Sequence, residues 1–236
     1  MMTKAFSIEL LQAVNDWQRG SSSEAQRARR AAALQAAAQK LPAKFRKCGL
    51  TCFRQVALKK GHLWDLLAKK HLAERVSSWT PSIEVAKSFK GGVPPGEWRG
   101  VILMITPKPE QVVLNLSTLY QSQEFRQFDE ENRPKIKGYH DGIGRYGASQ
   151  SEVVLEIPNV GPDEIWTMGG YSSDKTVLSR LFLGREPNTA EQRWIDENIA
   201  QSGVVPGGPW WLSADGWQNV YARIKPKIEE LKRKEN

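Results

Sequence analysis

Apolar residues in the first part of the chain recur at helical spacing. Within residues 7–19 they form one stripe that includes Leu10, Val14 and Trp17, and a glycine follows as a stop signal. An alanine-rich stretch after a serine run predicts a second helix over residues 24–40. The chain therefore begins with two predicted helices.

The middle of the chain is dominated by short apolar runs that predict strands. These runs occupy residues 49–58, 77–80, 100–106, 111–116, 151–157 and about 164–168. Helical patterns lie between them at residues 62–75 and directly after Pro81, whereas the polar, glycine-punctuated residues 120–148 predict a long loop with no more than one helical turn. Strands separated irregularly by helices favour an α+β fold over a doubly wound parallel sheet.

The C-terminal part predicts further helices around a tryptophan-rich turn. Thr189 and Gln192 have the spacing of a capping box at the start of a helix. Trp210, Trp211 and Trp217 follow a proline- and glycine-rich turn, and we interpret them as core or covering residues rather than a stacking platform for bases.

The positive charge of the 236-residue chain, +8 at neutral pH, is concentrated at its two ends. Residues 1–47 hold nine Lys and Arg against three Asp and Glu, and residues 222–236 hold six against three. Residues 48–221 hold nineteen against twenty and are almost neutral. Basic ends suit contact with a polyanion such as nucleic acid, but also solvated helices or binding to an acidic inhibitor.

Composition argues against several classes of protein. The longest strongly apolar run is Val101–Ile105, too short for a membrane span, and the N-terminus lacks the apolar core of a secretory signal. Two cysteines, Cys48 and Cys52, with three scattered histidines, predict neither a disulfide framework nor a metal site. We expect reduced cysteines and a cytoplasmic location.

Three polar segments on predicted strands are the candidate chemistry. Arg54 ends the run Leu50–Arg54, Ser78–Thr80 has the form Ser-x-Thr, and Gln150 precedes Glu152 by two positions. Because strand side chains alternate between faces, Gln150 and Glu152 are expected side by side. Each segment alone has an ordinary explanation: a surface arginine, a helix cap before Pro81, or an edge-strand charge.

Taken in this order, the segments resemble the signature of the mono-ADP-ribosyltransferases: an arginine, then Ser-x-Ser/Thr, then Gln/Glu-x-Glu. The resemblance covers about residues 48–168, leaving residues 1–47 as a basic helical extension and residues 169–236 as a C-terminal extension that ends in a basic helix. It implies a split β core of two packed small sheets with flanking helices. It also implies cleavage of NAD, used as a co-substrate without a metal, and transfer of ADP-ribose to an acceptor.

The resemblance assigns roles that fit the chemistry of NAD cleavage. It makes Glu152 the catalytic carboxylate, since loss of nicotinamide leaves positive charge on the ribose. Arg54 would bind the phosphates, with Ser78 and Thr80 holding Glu152 and the ribose in place. Arg99, in the glycine-rich loop 90–99, falls where the family has a loop that closes over NAD.

The acceptor side of the reaction is assigned to Gln150 and Tyr146. Gln150 resembles the residue that orients the nucleophile, and Tyr146 falls where the family carries an acceptor-binding aromatic residue. Relatives with glutamine at the first position modify asparagine-type side chains or guanine, and relatives with glutamate there modify arginine. The basic ends favour a base of RNA or DNA. A protein side chain other than arginine is the alternative, followed by an NAD glycohydrolase or a non-catalytic RNA-binding module.

Two further motifs do not predict a functional site, and family analogy predicts an antitoxin or immunity partner. Residues Gly142–Gly147 match a dinucleotide-binding fingerprint as a string, but a loop rather than a strand precedes them. The pair His140-Asp141 is more typical of a turn than of a catalytic base. By family analogy, an intracellular enzyme of this kind is a toxin of a bacterial or phage conflict system, with an antitoxin or immunity protein as partner.

Overall fold

The computed structural model describes residues 6–69, 75–202 and 205–235. Over these ranges the fold is α+β, with two small antiparallel sheets and flanking helices, which confirms the predicted fold class at that level. The chain forms two compact units. The first consists of Met1–Arg54, Leu72–Ala86 and Met104–Val160, and the second of Gln55–His71, Lys87–Leu103 and Gly161–Asn236.

The elements follow in this chain order. The helices are α1 (Ile8–Arg19), α2 (Glu24–Ala38), α3 (Lys60–Lys69), α4 (Ile83–Ser88), α5 (Leu116–Gln121), α6 (Gln123–Asn132), α7 (Ile143–Tyr146), α8 (Lys175–Leu183), α9 (Thr189–Ser202) and α10 (Ala214–Glu235). The strands are β1 (Cys52–Leu58), β2 (Val76–Trp79), β3 (Arg99–Ile105), β4 (Val112–Asn115), β5 (Val153–Glu156), β6 (Ile165–Tyr171) and β7 (Pro209–Trp211). None of the described helices is both long and apolar enough to cross a membrane.

The sheet of the first unit has the strand order β2-β5-β4. Ser78 pairs with Val154 and Trp79 with Val153. An isolated antiparallel bridge joins β1 to the end of β2, with Phe53 and Thr80 exchanging backbone hydrogen bonds of 2.7 and 2.9 Å. The start of β1, the end of β2 and the start of β5 therefore lie next to one another, which brings the three polar segments together.

Helices α1 and α2 share the hydrophobic core of the first unit. The Ser7 side chain caps α1 by accepting from Leu10 N at 3.2 Å, and the predicted stripe is buried at Leu10, Leu11 and Val14. The same cluster contains Leu34 of α2 and residues of β4 and β5. Burial of each large apolar side chain stabilises the fold by about 1.5–3 kcal/mol. The stripe is confirmed, and helix α1 is an integral part of this unit.

The prediction of a long loop over residues 120–148 is wrong. This segment contains α6 and α7, together with the end of α5 and short 3-10 turns. Helix α6 is capped by Ser122, whose Oγ accepts from Phe125 N at 3.4 Å, and Phe125 is fully buried. A capped helix needs few apolar residues when tertiary packing supplies its stability, so the polar composition was misleading.

The other sheet has the strand order β1-β3-β6-β7, and most of its residues belong to the second unit. The Trp211 ring lies over Gly100 and Gly169, where a Cβ atom would come within 2.6 and 2.5 Å of it. Trp217 is 1% exposed and stacks on Tyr221 with ring centroids 5.4 Å apart. Trp211 and Trp217 are thus packed as predicted, although β7 itself was not predicted.

The start of α9 differs from the prediction by one residue. The N-cap of α9 is Asn188, whose side-chain oxygen accepts from Ala190 N and Glu191 N, while Glu191 accepts from Asn188 N. The capping box therefore lies one residue earlier than the Thr189 prediction. Helix α3 is described to Lys69, and the rest of the predicted helix 62–75 includes residues 70–74, which lie outside the described residues.

Candidate active site

Arg54 is the first component of the site and lies on β1. Its side chain is half-buried, and Nη1 donates to the backbone carbonyl oxygen of Ser78 at 2.9 Å. Arginine stays protonated at any physiological pH. This hydrogen bond therefore holds a permanent positive charge beside the Ser-x-Thr segment.

The two serines of β2, Ser77 and Ser78, lie on opposite faces of the strand. Ser77 is 3% exposed, and its Oγ accepts from Trp79 Nε1 at 3.0 Å on the core-facing side. The Ser78 hydroxyl, on the opposite side, donates to Glu152 Oε1. Thr80 is also buried, and its Oγ1 accepts from Ser82 N at 3.2 Å. Strand alternation thus separates a structural serine from a site serine one residue apart.

Glu152 is a buried carboxylate, 5% exposed, directly before β5. Its Oε1 accepts from Ser78 Oγ and, at 2.7 Å, from Trp17 Nε1. Its Oε2 accepts from Gln18 Nε2 at 3.4 Å. Burying a carboxylate is costly unless hydrogen-bond donors replace the lost water. The surrounding side chains here supply donors to both carboxylate oxygens.

The segment before Glu152 bends, which corrects the prediction that Gln150 and Glu152 lie side by side on one face of a strand. The strand begins at Val153, and Ser151 has a φ of 46°, in the left-handed region. Gln150 lies half-buried in a turn that is closed by a hydrogen bond of 3.2 Å from Ser151 N to Ala148 O. A non-glycine residue in this conformation is strained, and such strain clusters at functional sites.

Tyr146 ends the short helix α7, six residues before Glu152. Its ring is half-buried, and the Arg145 guanidinium lies 5.3 Å from the ring centroid. Tyr146 and Gln150 thus lie on the segment that leads into the buried carboxylate.

Arg99 belongs to the second unit, unlike the other predicted site residues. It is exposed at the start of β3, and its Nη1 lies 3.3 Å from the backbone carbonyl oxygens of Gly96 and Trp98. Its predicted role in closing a loop over NAD stays a prediction.

Three side chains at the site were missed by sequence reasoning: Trp17, Gln18 and Tyr120. The Tyr120 hydroxyl donates to Gln18 Oε1 at 2.8 Å. Burial, together with the nearby Glu152 carboxylate, raises the pKa of Tyr120, so the phenol stays protonated and donates at neutral pH. Trp17 matched an apolar stripe, and only its polar N–H distinguishes it from an ordinary core residue.

Comparison with known proteins identifies no relative of this chain: no family model, no curated protein and no solved structure matches it. Within the described residues, no three His, Cys, Asp or Glu side chains are grouped as metal ligands. Cys48 and Cys52 are free thiols with their sulfur atoms 3.6 Å apart. The site must therefore be interpreted from its own geometry.

Proposed function

We propose that this protein is a mono-ADP-ribosyltransferase that cleaves NAD and transfers ADP-ribose to a base of RNA or DNA. The observation that carries the proposal is a hydrogen-bonded series from Arg54 through Ser78 to Glu152. These residues come from three strand segments that are far apart in the sequence. Chance surface residues would have no reason to form a connected series that ends at a buried carboxylate.

The chemical character of this series suits the two halves of NAD. A guanidinium offers several donors in a planar fork and binds phosphate oxygens well, so Arg54 suits the diphosphate. A fixed carboxylate suits the nicotinamide ribose, where positive charge develops as the glycosidic bond breaks. The Ser78 hydroxyl lies between the two and holds the carboxylate in place.

The proposed reaction breaks one bond and forms one. The bond from ribose C1 to the nicotinamide nitrogen breaks, and its electron pair leaves with nicotinamide, which becomes neutral. Glu152 stabilises the positive charge on the ribose while it lasts. An amine nitrogen of the acceptor then forms a bond to C1 and loses a proton to solvent.

The fold supports the proposal at a coarser level. A core of two small antiparallel sheets with flanking helices is what the family resemblance implies. The arginine lies on β1, the Ser-x-Thr segment on β2 and the glutamate at the start of β5, in the order that the resemblance requires.

A nucleic-acid acceptor is favoured by charge and by Gln150. A neutral carboxamide suits a neutral acceptor such as an exocyclic base amine, and Tyr146 could stack on a base. The first unit also carries exposed basic side chains outside the site, at Arg29, Lys40, Lys44 and Lys47. Phosphate contacts from such residues supply affinity that does not depend on base sequence.

A labelling experiment tests both parts of the proposal. The full-length protein is incubated with cell extract and NAD labelled in its adenylate part, and the product is divided between nuclease and protease. Label that nuclease releases and protease leaves intact supports the proposal. Label that protease alone removes would assign the acceptor to protein, and absence of label and of free nicotinamide would contradict the enzyme itself. Glu152→Gln is the negative control.

A further inference from the structure

The Glu152 carboxylate is held mainly by helix α1, outside the segments that carry the family resemblance. Trp17 Nε1 donates to Oε1 at 2.7 Å, and Gln18 Nε2 approaches Oε2 at 3.4 Å. Consecutive helical residues point about 100° apart. Trp17 and Gln18 therefore reach the carboxylate from two directions, one at each oxygen.

The two oxygens of the Glu152 carboxylate accept different numbers of hydrogen bonds. A carboxylate oxygen accepts about two hydrogen bonds. Among the described residues, Oε1 receives two donors, the Ser78 hydroxyl and the Trp17 N–H, whereas Oε2 receives one, the longer bond from Gln18. Oε2 is consequently the oxygen with acceptor capacity left for a ribose hydroxyl.

Gln18 also connects the carboxylate to the segment that carries the acceptor-side residues. Its Nε2 donates to Gly147 O at 3.1 Å, directly after Tyr146, and its Oε1 accepts from Tyr120 at 2.8 Å. Gly147 has a φ of 44° and turns the chain at this point. One amide side chain therefore fixes both the carboxylate and the turn that leads to Gln150.

We infer that Trp17 and Gln18 are positioning residues, which orient Glu152 so that Oε2 faces the substrate. This inference rests on the proposed function, because it concerns the same carboxylate. It makes helix α1 part of the catalytic unit rather than an appended basic helix. Fixed orientation of a reacting group before substrate binds is what gives such a site its rate.

The test uses two variants of the full-length protein, each with a matched control. Trp17→Phe keeps the aromatic packing and removes the N–H, and Trp194→Phe makes the same change at an exposed tryptophan of α9. Gln18→Leu removes both amide contacts, and Gln12→Leu makes the same change on α1 at a residue that bonds to Lys137 instead. Steady-state release of nicotinamide from NAD gives kcat and KM.

The expected result is a fall in kcat with little change in KM. Trp17→Phe and Gln18→Leu should each lower kcat about tenfold, since misorientation of a reacting group by a fraction of an ångström has effects of this size or larger. KM for NAD should change by less than about twofold, because Arg54 and the phosphate contacts are untouched. Trp194→Phe and Gln12→Leu should retain the wild-type kcat.

A double-mutant cycle distinguishes positioning from a general structural effect. If Trp17 acts through Glu152, then Trp17→Phe should cause no further loss in a Glu152→Gln background. Unchanged or raised kcat in Trp17→Phe and Gln18→Leu would overturn the inference, as would loss of the folded state in both. If the wild-type protein releases no nicotinamide, the proposed function itself fails, and this outcome is separate.

Discussion

Among the individual residues of the site, Glu152 most needs an explanation, because its carboxylate is buried. A carboxylate that is 5% exposed has lost most of its water, and an ion moved out of water costs several kcal/mol unless other groups replace that water. Ser78, Trp17 and Gln18 supply donors in its place. The proposed function explains why a carboxylate is buried here in spite of this cost.

The two serines of β2 allow a direct comparison between a packing contact and the proposed contact with the reactive carboxylate. Ser78→Ala removes a donor from Glu152 Oε1, and we expect kcat for nicotinamide release to fall about tenfold. Ser77→Ala removes the acceptor of the Trp79 N–H, and we expect it to lower the free energy of unfolding by about 1–3 kcal/mol and leave kcat unchanged. Equal effects of the two substitutions on kcat would contradict the conclusion that only Ser78 lies on the face of β2 directed to the site.

Arg54 should act on NAD binding rather than on the chemical step. Arg54→Lys keeps the charge and loses the planar fork, so we expect KM for NAD to rise by about tenfold, with a smaller effect on kcat. Nicotinamide release measured over a range of NAD concentrations checks this split. A fall in kcat without any change in KM would show that Arg54 does not bind the substrate.

Among the secondary-structure elements, helix α1 has two roles. Its apolar face forms core with α2, while its polar residues hold the segment before the site. Asn15 is fully buried, and its side chain donates to Lys137 O and Gly138 O and accepts from Ile143 N at 3.0 Å. A Cβ atom at Gly142 would lie 2.4 Å from Asn15, so this glycine serves close packing rather than loop flexibility.

Replacement of Asn15 tests how strongly α1 holds this segment. Asn15→Ala leaves the buried Ile143 N–H without its acceptor and removes one of the two donors from Lys137 O and from Gly138 O, and we expect the free energy of unfolding to fall by about 3 kcal/mol. Gln12→Ala breaks two solvent-exposed hydrogen bonds to Lys137 and should cost only about 1 kcal/mol. Denaturant unfolding gives both values, and equal losses would contradict this description of α1.

The elements show where sequence patterns were sufficient and where they failed. Alternation and helical stripes identified most strands and the buried face of α1, because those patterns report burial directly. Residues 120–148 were misjudged because α6 depends on the Ser122 cap and on one deeply buried side chain, Phe125. Gln150 was misplaced because the left-handed conformation of Ser151 breaks the strand alternation.

The candidate site was only partly predictable for a related reason. Arg54, Ser78 and Glu152 could be found because their order and strand context resemble a known signature. Trp17 and Gln18 lie 135 and 134 residues from Glu152 in the chain, and no local pattern records such a contact. A tryptophan in an apolar stripe looks like core until the partner of its N–H is known.

The distribution of charge over the whole molecule bears on the choice of acceptor. The net charge of +8 comes from the ends of the chain, but some of these basic side chains stabilise the local structure. Arg27 Nη1 donates to the carbonyl oxygens of Ser21 and Ser22, and Arg30 to that of Gly20, so both help to hold the turn between α1 and α2. Arg29 on the same helix is exposed and suits a polyanion better.

A nucleic-acid acceptor predicts strong dependence on salt. With two phosphate contacts, the rate of transfer at low acceptor concentration should fall about tenfold between about 50 and about 200 mM salt. Nicotinamide release in the absence of acceptor serves as the control and should change much less, since NAD makes few such contacts. Equal salt dependence of the two rates would argue against a polyanionic acceptor.

The proposed reaction depends on the Glu152 carboxylate, so the decisive measurement compares nicotinamide release from NAD by the wild-type protein and by Glu152→Gln. The substitution is nearly isosteric, and both proteins should show the same circular dichroism spectrum. We predict that the wild-type protein releases nicotinamide and that Glu152→Gln lowers the rate by at least about a hundredfold, because the fixed negative charge beside the ribose is lost. Release at the same rate by both proteins, or by neither, would rule out the proposed role of Glu152.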